Sequence, residues 1–272
     1  MVDPERSTDL LWQGESRRGL NLARIVRAAI ELADEEGLAA VSMRRVAERL
    51  GFTTMALYRH VPGKAELVDL MRDEAMAVQA AAGAGHEAGW RAELEAWARD
   101  GLALYQRHPW LVEAEGLRQV PGPNAVASFE RALGAAARSG LPPARVVAVV
   151  TLVGGFVESA ARQLVEAARL ERSSGVGHEE WWAGRTSLFD HLDRYPTLSR
   201  LYRDGGFDDP LDPFEFGLRR VLDGIETLVR DEIRDENMCS MCGKAIEPAA
   251  KGRPRDYCSR ACQQRAYRMR KA

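Results

Sequence analysis

The sequence predicts an all-α fold, made of two helical domains and a small cysteine-rich module. Apolar residues recur at helical spacing from Leu22 to residue 235, and no segment alternates as a half-buried strand does. Glycine and proline separate the helical stretches, as at Gly83–Gly89 and Pro121–Pro123. All four cysteines lie between residues 239 and 272, which sets this last segment apart.

A pair of short helices is predicted between Ser42 and Lys64. Ser42 and Thr53 stand where N-caps accept the unpaired amides of each helix, and Gly51 supplies the backbone freedom of a tight helix–helix turn. The apolar positions form one continuous buried face: Val46, Ala47, Leu50 and Leu57. This pattern predicts a helix-turn-helix.

The second helix of this pair presents a polar and aromatic surface. Its outward residues are Thr54, Met55, Tyr58, Arg59 and His60. A short helix held at an angle by a buried partner fits the DNA major groove, although the same geometry also occurs inside ordinary helical cores. Lys64 favours DNA, because a cation in the first turn of the next helix opposes the helix dipole unless a phosphate accompanies it.

Charge is distributed unevenly along the chain. The net charge is −2, but residues 65–238 carry 19 basic and 29 acidic side chains, whereas residues 239–272 carry 9 basic and 2 acidic ones. The acidic middle is a poor nucleic-acid ligand, so any such contact is expected from the two ends. No apolar run of 18 residues and no apolar signal core occur, so no membrane span and a cytoplasmic location are expected.

Several of these motifs together resemble the TetR family of bacterial repressors. The motifs that carry the resemblance are Ile25-Val26-x-Ala28-Ala29, Ser42-Met43-x-x-Val46-Ala47-x-x-Leu50-Gly51, Ala56-Leu57-Tyr58-x-His60-Val61 and Lys64-x-x-Leu67. The strings RHPWL at Arg107–Leu111 and PGPN at Pro121–Asn124 resemble the sensor domain of the tetracycline-repressor branch. The resemblance implies three N-terminal DNA-binding helices and a helical domain that dimerises and senses a ligand.

The resemblance also implies roles for individual residues and segments. Operator contacts are expected from Ser42, Arg44, Thr53, Thr54, Met55, Tyr58, Arg59, His60 and Lys64. Arg59 is placed either to read a guanine edge or to contact phosphate only. The expected segments are a flexible arm (1–19), a DNA-binding domain (20–66), a sensing and dimerising domain (67–235) and a cysteine module (236–272).

Two long helices are the expected dimer contact. The segments 143–171 and 213–235 carry apolar stripes, which on pattern alone suit a monomer core, but the resemblance implies a four-helix bundle between two copies. A small hydrophobic effector is expected to release the operator. Aromatic and polar side chains on the central helices are its candidate contacts, with plain core packing as the alternative: Trp97, Tyr105, His108, Trp110, Phe129, Phe156 and Glu158.

The four cysteines predict one structural zinc ion per chain. Cys239 and Cys242 form one pair, and Cys258 and Cys262 follow after a 15-residue loop, which is the spacing of an all-cysteine tetrahedral site. Two disulfides are the alternative, which a cytoplasmic chain should not keep. The basic residues around the second pair fit nucleic-acid backbone, docking on the acidic middle, or a solvated appendage.

Two other functions compete with an effector-released repressor. In the first, the cysteine module itself senses zinc or thiol oxidation and controls DNA binding. In the second, the chain is a helical enzyme, but the sequence offers no Ser/His/Asp, Cys/His or phosphate-loop arrangement for catalysis.

Overall fold

A computed structural model describes residues 8, 12, 20–77, 89–114, 120–185, 187, 191–236, 238–239, 241–244, 246 and 257–271. The fold is all-α, as predicted. The arm predicted at 1–19 lies outside the described residues except for Thr8 and Trp12.

Four helices form the N-terminal part of the protein. They are α1 (Leu22–Glu36), α2 (Met43–Leu50), α3 (Thr54–Tyr58) and α4 (Lys64–Ala75), with a 3-10 turn at Leu38–Ala40. Side chains cap the first three helices: Asn21 accepts from the Arg24 amide, Ser42 from the Arg45 amide and Thr53 from the Ala56 amide. Both N-caps predicted for the helix pair are therefore confirmed.

The helices of the middle region follow. They are α5 (Gly89–Arg107), α6 (Leu111–Ala114), α7 (Pro123–Ala137), α8 (Pro143–Ser174), α9 (His178–Ala183), α10 (Pro196–Arg203) and α11 (Pro213–Glu236). One more helix, α12 (Arg260–Lys271), carries the basic C-terminal segment.

The helical spacing between the breaks at Ser173–Gly177 and Gly205–Pro213 predicts a helix near 179–193, of which residues 186 and 188–190 lie outside the described residues, and the described helix is shorter. It ends at Ala183, where Gly184 takes the C-cap position, and a 3-10 turn covers Leu192–Arg194. A separate helix, α10, then begins at Pro196, which the sequence pattern did not predict. Proline at the first helical position starts a new helix, because its lost N–H has no partner there in any case.

Two hydrophobic cores hold the molecule together. The first buries α1–α4 and includes Trp110 and Leu111 from the start of α6, whereas the second lies among α5, α7, α8 and α11. Tyr105 near the end of α5 packs against both cores. The two halves therefore meet through a packed junction.

The long helix α8 supplies much of the second core. Val149, Val150 and Val153 are buried there. By length and composition α8 is also the one described helix that would be able to cross a membrane, with 33% of its most apolar window buried. Its packing against α5, α7 and α11 is the behaviour of a core helix, which explains the apolar composition.

Ion pairs fix which ends of the long helices meet. Near the start of α8, Arg145 pairs with Glu232 near the end of α11. Near its other end, Arg169 lies 3.9 Å from Glu113 of α6, beside the first core. The end of α11 is therefore at the pole of the molecule opposite the N-terminal helices.

A buried carboxylate on α4 caps a helix of the middle region. Asp73 is 6% exposed, and its Oδ1 accepts from the Ala125 amide at 2.9 Å while its Oδ2 accepts from the Asn124 amide at 3.3 Å. Burial raises the pKa of Asp73 above its usual range, and these N–H donors partly oppose that shift. A Cβ on Gly122 would stand 2.3 Å from the Asp73 carboxyl carbon. The absent side chain at Gly122 thus makes room for the cap.

Asp73→Ala should lower the free energy of unfolding by about 1–2 kcal/mol, because α7 loses its N-cap. Gly122→Ala should cost a similar amount in the natural chain but clearly less in the Asp73→Ala background, since nothing is left for the new methyl to displace. Thermal unfolding at one fixed protomer concentration measures all four proteins.

Gly134→Ala is the matched control on the same helix. A Cβ there would meet only Arg138 at 3.9 Å, so this change should stabilise the chain by about 0.5–1 kcal/mol. Equal costs of Gly122→Ala in both backgrounds would contradict the proposed contact.

Candidate functional site

Helix α3 carries an exposed surface opposite one buried anchor. Leu57 is 0% exposed and packs into the first core, whereas Met55 is 70% and Tyr58 47% exposed. Thr53 is exposed and Thr54 half-buried on the same side of the helix. Helical spacing explains this separation, because Leu57 lies two positions from Met55 and one from Tyr58.

Two of the predicted contact residues follow the helix and do not lie on it. The helix ends at Tyr58, Arg59 is its C-cap, and the His60 amide donates to the Leu57 carbonyl at 2.8 Å. The nearby Pro62 disfavours further helix. Arg59 keeps helical dihedral angles and is exposed, so its side chain extends from the same end of α3.

The hinge between α2 and α3 has the geometry that the sequence predicts. Gly51 adopts φ 72° and ψ 28°, the left-handed region that glycine enters at no steric cost. Its amide and that of Phe52 bond back to the last turn of α2. The angle of α3 is therefore set by backbone contacts.

Two arginines on α2 tie it to α1, a pairing that the sequence pattern did not predict. Arg45 makes two hydrogen bonds to Glu36 at 2.9 and 2.5 Å, and Arg49 makes two to Glu35 at 2.7 and 2.6 Å. Hydrogen bonding to these guanidinium groups lowers the pKa of both carboxyl groups. The sequence signal that could have predicted these pairs is the two adjacent acids before Gly37 together with the i, i+4 spacing of the two arginines.

Arg44, Ser42 and Lys64 occupy the rim of the same surface. Arg44 projects outward with 83% of its side chain exposed and pairs with Glu48 at 2.8 Å. Ser42 is half-buried and engaged as an N-cap. The Lys64 ammonium donates to the Leu38 carbonyl at 3.3 Å and is exposed, so it also steadies the 3-10 turn.

Asp34 of α1 joins the first core to the middle region. Its Oδ1 lies 2.8 Å from His108 Nδ1 and accepts a 2.8 Å hydrogen bond from Trp110 Nε1. Trp110 is 1% exposed. Two residues proposed as effector contacts therefore lie at the domain junction.

The other five proposed effector contacts are dispersed over the middle region. Trp97 donates to Ser128 Oγ at 3.1 Å, and Phe156 stacks on Phe214 with ring centroids 5.6 Å apart. Tyr105 lies between the two cores. The remaining two are on the surface: Phe129 is 44% exposed, and Glu158 pairs with Arg162.

Two grooves open on the middle region. The larger, of about 750 Å³, lies between the C-terminal half of α8 and the adjacent Trp181 and Trp182. The smaller, of about 470 Å³, runs between α8 and α11 and includes Leu152 and Gly224. Neither of these two described grooves is lined by the seven proposed effector residues.

The four cysteines converge into one cluster. Their sulfur atoms all lie within 4.8 Å of one another, with Cys242 and Cys258 at 3.5 Å and Cys258 and Cys262 at 3.7 Å. All four are free thiols. A turn at Gly243, with φ 65°, brings Cys239 and Cys242 together, as the sequence predicts.

The distances within the cluster fit a tetrahedral metal site. A zinc ion with bonds of about 2.3 Å to four sulfurs separates those sulfurs by about 3.8 Å. The pKa values of two of these thiols also favour a bound cation. The Cys258 N–H helps lower the pKa of Cys239 to about 6, whereas hydrogen bonding with Cys242 raises the pKa of Cys258 to about 12. A divalent cation would compensate thiolates that cannot form together without it.

The protein has a short exposed helix, α3, held at a glycine hinge and joined to a separate helical domain. This arrangement defines the class of protein as a DNA-binding transcriptional regulator. Comparison with protein families agrees. Residues 25–71 match the family described as bacterial regulatory proteins, tetR family, and residues 82–229 match the tetracyclin repressor-like C-terminal domain. The second match ends before the first cysteine.

Relatives and solved structures lead to the same family. The chain is 41% identical over 236 residues to the HTH-type transcriptional repressor DrrR1 of Streptomyces coeruleorubidus, covering 84% of this chain and 87% of that protein. It is 31% identical to an HTH-type transcriptional regulator of Saccharopolyspora erythraea, with 71% and 80% covered. ActR of Streptomyces coelicolor in complex with actinorhodin superposes with a TM-score of 0.64 at 25% identity, over 78% of this chain and 97% of that one.

The chain belongs to the TetR family of bacterial transcriptional regulators. It is accordingly a DNA-binding regulator and not an enzyme. Regulators of this family are cytoplasmic, bind operator DNA and small-molecule effectors, and form dimers.

Proposed function

We propose that the protein is a homodimeric repressor that leaves its operator when a small hydrophobic effector binds. The exposed surface of α3 opposite the buried Leu57 carries this proposal. Met55 and Tyr58 project from it without being needed for the core, and Arg59 extends its end. A surface of this size fits the major groove, and DrrR1, the relative at 41% identity, is named a repressor.

Roles within this surface follow from chemistry and position. Arg59 and the α3 residues Thr54 and Met55 face base edges, and Arg59 has the bidentate fork that guanine accepts. The flanking residues hold the DNA backbone: Ser42, Arg44, Thr53, Tyr58, His60 and Lys64. Arg45 and Arg49 are excluded from this group because each makes two hydrogen bonds to an α1 carboxylate, whereas Arg44 makes one bond to Glu48 and is 83% exposed.

The proposed dimer contact is the outer face of α8 and α11. Leu152 is 55% exposed, Phe216 is 53% exposed, and a groove runs between the two helices. A Cβ placed on Gly155 or Gly224 would have no atom within 4 Å, so close approach by a second helix pair is open at both positions. Two copies joined here would place one α3 each against two half-sites on DNA.

Effector binding would be transmitted through the junction carboxylates. Asp34 and Asp73 connect the DNA-binding helices to α6 and α7, so a shift of those helices moves α1 and α4. The effector is offered either the predicted contact residues, which are dispersed over the middle region and its junction, or the groove beside Trp181 and Trp182. ActR, at 25% identity, is solved with actinorhodin, which supports a small-molecule effector here and makes that compound a first probe for operator release.

We also propose that the four cysteines hold one structural zinc ion. The sulfur distances support this, and α12 would be fixed by the ion, because Cys262 lies in its first turn and Cys258 just before it. The alternative, a module that senses zinc or oxidation, is favoured by the exposure of Cys242 and Cys258.

Arg59→Ala should cost about 1–3 kcal/mol of discrimination at one base position of the selected operator, because a bidentate contact to guanine is lost. Lys64→Ala should instead weaken binding to every sequence and reduce the salt slope of the affinity by about 1. Selection from random DNA, followed by titration of matched and mutated duplexes, measures both. A uniform loss for Arg59→Ala would move that residue to the phosphates, and unchanged binding in both variants would contradict this surface.

Leu152→Arg should yield monomers, because an unpaired charge would enter the α8–α11 face beside Arg145 and Arg220. Sedimentation velocity at micromolar concentration measures the mass. Val126→Arg on α7, where Val126 is 42% exposed, is the control and should remain dimeric. A dimeric Leu152→Arg protein would place the interface elsewhere.

Elemental analysis should find about one zinc per chain, and Cys258→Ser should lower that content, because a three-sulfur site holds zinc less tightly. A zinc-free protein would remove the structural proposal. Chelation distinguishes the two roles: operator binding that survives zinc loss fits a structural ion, whereas binding that disappears while the sensor domain stays folded fits a sensing module.

A further inference from the structure

The C-terminal module begins at the pole of the molecule far from α3. Arg145 and Arg169 are 24 residues apart on α8, which corresponds to about 36 Å along the helix. Arg169 lies beside α6 and the first core, and Arg145 pairs with Glu232 near the end of α11. The N-terminal DNA-binding helices and the end of α11 are therefore separated by the length of the middle region.

The cysteine module is too short to reach from the end of α11 back to the DNA-binding helices. Cys239 follows the last residue of α11, Glu236, by three positions, which span at most about 11 Å. The other three sulfurs lie within 4.8 Å of the Cys239 sulfur, so the start of α12 is fixed next to the end of α11. From Arg260 to Lys271 the helix extends only about 17 Å further.

Helix α12 has a cysteine side and a basic side. Among its described side chains Cys262 and Ala266 are the half-buried ones, one turn apart, and Cys262 belongs to the cluster. Arg260 and Arg268 fall on the opposite arc of the helix, and Arg265 lies beside them, between that arc and the cysteine side; these three arginines form a basic stripe. The cysteine cluster therefore orients a positive stripe away from the rest of the module.

The arginines of this stripe differ from those of α2 in the DNA-binding domain. Arg44, Arg45 and Arg49 are each neutralised by a glutamate. Among the residues the structure describes, Arg260, Arg265 and Arg268 form no ion pair, and residues 257–271 contain no acid. Exposed Tyr267 lies on the edge of the same arc. Three cations over about 12 Å complement a regular polyanion, and duplex DNA carries one charge per about 1.7 Å.

We infer that the basic stripe of α12 is a second DNA-binding surface, which contacts the phosphate backbone of a duplex other than the operator segment held by α3. Its position excludes contact with the same few turns of operator. Its chemistry is electrostatic, so it should bind duplexes of any sequence. One molecule would then hold two DNA segments, an operator at one pole and non-specific DNA at the other. The operator contact in this inference rests on the proposed function.

The first test measures non-specific binding alone, which does not depend on the operator. The full-length protein, with its metal content checked, is titrated against a random-sequence duplex at several salt concentrations. R265Q/R268Q should make the slope of log affinity against log salt less steep by about 2, because each phosphate contact contributes about 0.9. Between about 50 and about 200 mM salt the natural chain should then lose about tenfold more affinity than the variant.

The matched control removes two exposed arginines from the acidic middle. R172Q/R200Q changes the net charge equally on α8 and α10 and should leave the salt slope unchanged. Zinc content and far-UV circular dichroism should be the same for all three proteins, because none of the replaced side chains belongs to the cysteine cluster. An equal slope in R265Q/R268Q and the natural chain would overturn the inference.

The second test measures bridging. Operator duplex is immobilised and saturated with protein, and retention of a labelled random duplex is then recorded. The natural chain and R172Q/R200Q should retain it, whereas R265Q/R268Q should occupy the operator equally but retain at least several-fold less of the second duplex. Failure of the protein to bind the immobilised operator would contradict the proposed function, and it is measured separately, before the random duplex is added.

Three results of these tests would overturn the second surface. One is operator occupancy without capture of the second duplex by the natural chain. Another is capture that R265Q/R268Q leaves unchanged. The third is tighter DNA binding by R265Q/R268Q, which would show that the stripe docks on the acidic middle region of the protein instead.

Discussion

Two carboxylates hold the junction between the DNA-binding helices and the middle region, and the relative placement of the two halves relies on them. Asp34 accepts hydrogen bonds from the α6 side, and Asp73 caps α7 from within α4. Asp73 is a buried carboxylate, which is costly unless donors surround it, so it must stay engaged in the folded protein. The Asp34 side chain is 31% exposed and adds its contacts at the rim of the junction. The orientation of α3 relative to α8 and α11 follows from these contacts.

Arginine serves two different purposes in this chain, and its partners separate them. On α2 the guanidinium groups of Arg45 and Arg49 are bidentate ligands of α1 carboxylates, which sets the interhelical geometry of the DNA-binding domain. On α12 Arg265 and Arg268 have no such acids in their helix. Net charge alone does not distinguish these uses, because it counts an internally paired arginine and an unpaired one alike.

The helix pair was largely predictable from sequence, because its signals are local. Caps at Ser42 and Thr53, the left-handed Gly51 and the buried Leu57 each follow from residues within a few positions. The effector contacts were not predictable in this way. His108 and Trp110 fit an aromatic pocket by composition, yet their hydrogen-bond partner is Asp34, more than seventy positions away. The helix α10 was not predicted, because its eight residues, Pro196–Arg203, are too few to carry a long apolar stripe.

Sequence alone was sufficient to predict the all-α class, the helix-turn-helix, the family and the grouping of the four cysteines into one cluster. The reason is that helical periodicity, caps and ligand spacing are short-range properties. Where these parts stand relative to one another came from tertiary contacts. The cap that Asp73 provides, the use of Trp110 at the junction and the position of the cysteine module opposite α3 all depend on contacts between distant segments. The antiparallel packing of α8 and α11 fixes the last of these, because it places the end of α11 beside the start of α8.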